Sequence, residues 1–196
     1  MAEIVFKNHR HGCLVCGEEL EYHSEPSAMI CHMCGITSQS LVACRNGHFI
    51  CDECHSGSAN NIIERYCIRS ESLDPVKMAN HLMDSSKVTM HGPEHHFLVT
   101  AVLLSAYYNL LNQPELKRDK IIQARFRCEK VPGGFCGSHG TCGAGVASGI
   151  FISLITDATP LSLKEWQLSN LRESLKSPGS RTHFHQSFCC HGVDQR

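Results

Sequence analysis

Cys13-Leu-Val-Cys16-Gly17 and Cys31-His-Met-Cys34-Gly35 constrain the front of this chain more than any other feature. Two cysteines separated by two residues can turn both thiolates toward one ion, and the glycine that follows admits the positive φ such turns favour. Fourteen residues separate the pairs, which is enough for a hairpin that returns to close a tetrahedral set of four thiolates. A second cluster, Cys44-x3-His48-x2-Cys51-x2-Cys54, supplies three thiolates and one imidazole, with His55 in reserve. The reading we favour is sequential: one zinc on Cys13, Cys16, Cys31 and Cys34, and another on Cys44, His48, Cys51 and Cys54. A cross-braced arrangement, with Cys31/Cys34 joined to Cys51/Cys54, fits the spacing as well. Either way both sets are full, with no open position for water, so the two ions read as structural.

Composition supports metal rather than disulfides. Seven of the 13 cysteines fall in the first 57 residues, and the N-terminus has no apolar signal segment. A reducing cytoplasm, where thiolates are kept for metals or chemistry, is the expected setting. Residues 1–57 carry a formal charge of −4, so a phosphate-binding surface is not expected. No apolar run reaches the roughly 18 residues that a membrane span needs. With little apolar material available, cation coordination should hold this segment together.

The run from Cys31 to Cys54 resembles the first three ligand pairs of a RING finger. A fourth pair would be needed, and after Cys54 only Cys67 follows nearby.

Four parts are expected: a double zinc-knuckle module over 1–57, a helical connector over 58–90, a helical domain over 91–176 and a polar tail over 177–196. The fold class is α+β, mostly α, with a zinc-ribbon or treble-clef-like front module. NNIIERYCI and SLDPVKMANHLMD read as connector helices, the second with Ser72 as N-cap and Pro75 in its first turn. From Glu94 a helix that is apolar on most faces belongs at the centre of a bundle. A helix from Pro114 to about Glu129 carries Ile121, Ile122 and Phe126 at helical spacing. After a glycine-rich stretch, VASGIFISLITDA is another apolar segment. LSLKEWQLSNLRESLK closes the series, with Leu161, Leu163, Trp166, Leu168 and Leu171 as its apolar positions.

Two further groups of residues carry chemistry. His91-Gly-Pro-Glu94-His95-His96 heads the central helix, and three imidazoles with a carboxylate suit a metal or proton-transfer site. Capping with solvated histidines is the plainer alternative. VPGGFCGSHGTCGAG places Cys136 and Cys142 among glycines that allow close backbone approach. Thr141 could cap the next helix, whose free N–H groups attract an anion or lower a thiol pKa. Cys136 and Cys142 could be a redox dithiol, two metal ligands or incidental thiols. Cys128 reads as a packed thiol.

At these residues the chain resembles the prokaryotic family called domain of unknown function 5714. The matching segments are CLVCG, CHMCG, CRNGHFICDECH, HGPEHHFLVTAVLLSAYYN, VPGGFCGSHGTCGAGVASGIF and ATPLSLKEWQLSN, spanning most of residues 13–170. The resemblance implies a zinc-knuckle protein joined to a helical part, of a kind found largely in anaerobes and sometimes fused to radical-SAM or methyltransferase domains. It marks His91, Glu94, His95, Cys136 and Cys142 as motif positions and implies a Cys-Cys pair near the C-terminus, for which Cys189-Cys190 is the candidate.

Two function classes follow. One is an enzyme or redox protein doing sulfur, methyl-transfer or metal chemistry at His91, Glu94, His95, Cys136 and Cys142, with a third zinc, an iron or an iron–sulfur centre as its cofactor. The other is a zinc-stabilised adaptor that binds a protein partner without catalysis. A solvent-open surface at 91–96 and 133–145 would favour the adaptor.

Overall fold

The computed structural model describes residues 12–89 and 92–174, the last four through their backbone alone. His91, Cys189-Cys190, the rest of the 177–196 tail and the side chain of Leu171 therefore lie outside the described residues.

The front of the chain is an antiparallel hairpin of β1 (Leu20–Ile30) and β2 (Thr37–Cys44). Its register runs from Leu20 opposite Cys44 to Ile30 opposite Thr37, with a break between Tyr22 and Ser27. The strand β1 is exposed along almost its whole length, in keeping with the scarcity of apolar residues there. Short α1 (Asp52–Ser56) follows, then α2 (Ala59–Arg69) and α3 (Pro75–Met83). The central helix α4 (Glu94–Leu110) precedes α5 (Pro114–Cys128), α6 (Phe135–His139), α7 (Gly143–Ile155) and α8 (Lys164–Ser174). The fold is thus α+β and mostly α.

Most of the expected helices form, for the expected reasons. Ten residues of α4 are buried, among them Phe97, Leu98, Val102 and Leu104, each worth about 1.5–3 kcal/mol of burial. The helices α3 and α5 each begin on a proline at the first helical position, where the missing N–H costs nothing. The N-cap of α3 is Asp74, whose carboxylate accepts from the N–H groups of Val76 (2.9 Å) and Lys77 (3.1 Å). Ser72, expected in that role, sits two residues too early and accepts from Asp74 N–H instead.

Three other local expectations are corrected. In α5 the buried face is Lys117, Ile121, Ala124 and Cys128, a spacing of four, three and four that stays on one side of a 3.6-residue helix. Ile122 and Phe126 lie roughly 130° and 170° from the centre of that face and are 46% and 65% exposed, with Lys130 over the Phe126 ring. Lys117 can be buried because its ammonium donates to the Ser70 carbonyl (2.9 Å) and Asn109 Oδ1 (2.8 Å). At the far end, Leu161, Leu163, Trp166 and Leu168 are all exposed; α8 meets α7 instead where Gly149 lies beside the Ser169 carbonyl. Finally, α7 takes Cys142, not Thr141, as its N-cap, and no side chain closes that end.

The core does not stop at the end of the cysteine-rich segment. Cys31, Met33, Cys34, Cys51 and Cys54 belong to the same buried cluster as Ile62, Leu82, Phe97 and Leu104. A chain of ring contacts spans the join: His48 meets His32 edge-on (5.1 Å between centroids), His32 meets His81 of α3 at a tilt (5.0 Å), and His81 stacks on Tyr66 of α2 (4.7 Å).

Candidate metal centres

The hairpin decides which cysteines meet. The first knuckle leads into β1 and the second follows it, so the strand separates the two along the chain. What lies beside the entry of β1 is the end of β2, with Cys44 opposite Leu20. The chain then reverses through 44–48, Phe49 bridges to Cys31, and His32 N–H donates to the Phe49 carbonyl (2.8 Å). That return lays residues 51–54 against the second knuckle. Two sets result, Cys13/Cys16/Cys44/His48 and Cys31/Cys34/Cys51/Cys54, with the ligand atoms of each within 4.8 Å of one another.

This is the cross-braced arrangement, and it corrects the favoured sequential one. The fourteen residues between the knuckles supply one strand of a hairpin rather than a whole hairpin. Cys13 and Cys16 are also the pair missing from the RING-like run: they stand before it, not after it.

The geometry within each set fits a tetrahedral ion. With Zn–S near 2.3 Å and Zn–N near 2.0–2.1 Å, ligand atoms should stand ~3.8 Å apart for S···S and ~3.5–3.6 Å for S···N. Observed separations are 3.9 Å for Cys16–Cys44 and 3.7 Å for Cys34–Cys51. His48 Nδ1 lies 3.4 Å from Cys44 Sγ and 3.3 Å from Cys16 Sγ, which identifies Nδ1 as the nitrogen facing the site. Gly17 and Gly35 close the knuckles at φ of +80° and +69°, their N–H groups donating to Cys13 and Cys31 carbonyls at 2.8 Å.

Backbone N–H groups also point at the sulfurs: Val15 to Cys13 (3.4 Å), His48 to Cys44 (3.3 Å) and Cys51 to Cys31 (3.4 Å). Such bonds favour thiolate over thiol. Cys16 has its pKa lowered to about 6, first by the Glu18 backbone and then by His48 and Asn46. Cys31 is lowered to about 4, first by Cys54, against the opposing effect of burial; Cys54, its partner, is pushed up, first by Cys31 and then by burial. The sets differ in setting. All four cysteines of the second are buried, whereas Cys16 in the first is exposed. His55 is exposed and belongs to neither.

At the head of α4 the side chains are held locally. Glu94 accepts from the Thr89 N–H (2.8 Å) and hydroxyl (2.6 Å). Burial alone would raise its pKa, but these bonds win and hold it below the ordinary carboxylate value. His95 Nε2 lies 2.6 Å from the Thr89 carbonyl; an oxygen that can only accept makes Nε2 the protonated nitrogen. The His96 ring rests on the first residue of α7, where a Cβ on Gly143 would stand 2.5 Å from Nε2. Burial, helped by His95, holds His96 below its usual pKa despite the Val131 backbone beside it. Cys136 is exposed on α6, and Cys142 is half-buried at the start of α7. Among the described residues, Glu94, His95, Cys136 and Cys142 do not form a third group of three or more close metal donors. Cys128 is a packed thiol, its pKa raised to about 11 by burial.

Sequence reasoning missed the ring contacts. His32 sits inside a knuckle and His81 inside a helix, so neither spacing reveals that they meet.

The family described as "family of unknown function (DUF5714)" matches residues 63–192. The matched stretch covers most of the helical part and residues after it, and the metal sets lie ahead of it. No curated protein and no solved structure matches the chain. No helix of the described residues is long and apolar enough to cross a membrane.

Proposed function

Because the chain belongs to the family of unknown function DUF5714, whose name supplies no activity, we propose from the geometry that it is a zinc-stabilised binding protein. Two zinc ions act as structural staples, and the folded surface engages a partner. One observation carries the reading: two complete four-donor sets, the ligand atoms of each within 4.8 Å of one another. Their soft thiolate and imidazole donors suit zinc, and a filled tetrahedron leaves no position for a substrate. Zinc would hold the hairpin to the helices, with the ligands supplied by the seven cysteines and His48 of the two sets and backbone N–H groups donating to the sulfurs of Cys13, Cys31 and Cys44. The exposure of residues 132–134 and 136–140 fits a binding surface, although Glu94, His95, His96 and residues 141–145 are half-buried or buried.

The test is elemental analysis of the anaerobically purified full chain. Two zinc ions per chain are expected, unchanged in a Cys136→Ser/Cys142→Ser variant. Iron, or a further metal lost in that variant, would overturn the reading.

A second reading is favoured by one observation: a His96 ring seated on the N-terminus of α7 beside Cys142. Here Glu94, His95, Cys136 and Cys142, with His91, would support redox, sulfur or methyl-transfer chemistry on a small molecule, with an added zinc, iron or iron–sulfur centre. Selective, pH-dependent alkylation of Cys142 over Cys136 would support it, and equal rates would count against it.

A further inference from the structure

A groove lies along the hairpin and reaches the second metal set at Cys51. Ser38, Gln39, Ser40 and Leu41, consecutive in β2, all line one cavity of about 550 Å³. Pro26 of β1 and Phe49 line it as well, so it spans the hairpin, and β2 is itself one edge of the two-stranded sheet. Among the described residues, no backbone group of Ser38–Leu41 bonds to any segment outside the hairpin. The apolar part of the groove includes Ile36 and Phe49, and its charged residues are Asp52, Glu53 and Arg65, of which, among the described residues, Arg65 pairs with Glu53 and leaves Asp52 as the unpaired charge.

Sheet edges are usually guarded by charge, proline or a bulge. The opposite strand, β1, has all three: Glu21, His23 and Glu25, Pro26, and a broken register between Tyr22 and Ser27. The strand β2 reads TSQSLVAC, with neither a charge nor a proline. Its one local closure is at Val42, where the Ser40 hydroxyl meets both the N–H (3.0 Å) and the carbonyl (2.8 Å).

Charge indicates the occupant. Arg45 is the only Lys or Arg in residues 12–57, against Glu18, Glu19, Glu21, Glu25, Asp52 and Glu53. Arg45 is spent on Glu19 and Glu21, and Glu53 pairs with Arg65. Asp52 has no ion pair among the described residues. Seven thiolates around two dications would make the module more negative still.

We propose that the free edge of β2 docks an extended peptide segment of a partner protein, added as a third strand, with a basic side chain placed against Asp52. Main-chain pairing would supply affinity, and the apolar and acidic parts of the groove would supply selectivity. This rests on the partner-binding reading above and names the partner's chemistry.

The test begins with a randomised heptapeptide display library selected on the zinc-loaded full chain. Enriched peptides should carry Lys or Arg. A synthetic copy should shift the amide resonances of Ser38–Leu41 and bind about tenfold more weakly to Asp52→Asn. N-methylating alternate peptide amides should abolish binding in one phase and spare it in the other, since only alternate amides face the strand. Peptides whose binding ignores N-methylation would overturn the proposal. So would Ser38–Leu41 amides already protected from hydrogen exchange in the free chain, because the edge would then be covered. If selected peptides shift only residues around Pro93 and Cys142, the binding reading stands and the β2 assignment falls. If nothing enriches, both fall.

Discussion

Replacing Cys13 and Cys16 together by serine removes two of the four donors of the first metal set and none of the second. Structural zinc is worth about 10–16 kcal/mol of apparent binding, so two donors of four carry about 5–8 kcal/mol if the donors share it evenly. That is roughly four to six powers of ten in affinity. Such a site empties on gel filtration, and zinc per chain should fall from two to one. Cobalt substitution then identifies the survivor. The interleaved geometry leaves Cys31/Cys34/Cys51/Cys54, so the remaining spectrum should be that of a thiolate-only tetrahedron. The Cys51→Ser/Cys54→Ser variant should show the reverse, a survivor with one imidazole among three thiolates. A nitrogen ligand in the surviving site of the Cys13/Cys16 variant would refute the argument, because only sequential pairing leaves His48 in an intact set.

Three further outcomes can be checked. Gly143→Ala puts a Cβ 2.5 Å from His96 Nε2 and should cost about 1–3 kcal/mol by thermal unfolding, whereas Gly137→Ala, which meets nothing within 4 Å, should not. Lys117→Ala strips a buried donor from the Ser70 carbonyl and Asn109 Oδ1, for a loss of about 1–3 kcal/mol in denaturant melts. His96 should titrate below the usual value of 6.5 in imidazole proton spectra, since burial disfavours its cation. Its contribution to stability is then complete above pH 6.5 and is lost as pH falls through the lowered folded value; an unshifted midpoint would show that the ring is solvated.

What could be read in advance was whatever rests on local chemistry. Pro75 and Pro114 announced their helices, the apolar run from Phe97 announced a central one, and the ligand residues announced themselves by type and spacing. Pairing was another matter. A Cys-x-x-Cys motif shows that two thiolates share an ion, but not which other pair completes it; that depends on whether residues 17–30 form a hairpin or one strand of one. The face of α5 was misjudged because Ile122 and Phe126 count as core by composition, while Lys117 earns its buried place only through acceptors on α4 and the 70–72 loop. The apolar residues before and within α8 were misjudged likewise: hydrophobicity does not say that a surface is available to cover it. Nothing in the spacing of His32 and His81 foretold a ring contact.

The alternation of ligand pairs has a consequence for biogenesis. In a sequential arrangement the first ion could bind once Cys34 had left the ribosome, and the segment could mature piecemeal. Here Cys13 must wait for His48, and Cys31 for Cys54. Each closure spans a loop that contains part of the other, and such non-local closures are slow and costly to nucleate. Nascent chains halted before His48 should therefore hold their thiols unclaimed and open to oxidation, and the second ion should load only after Cys54 has been made.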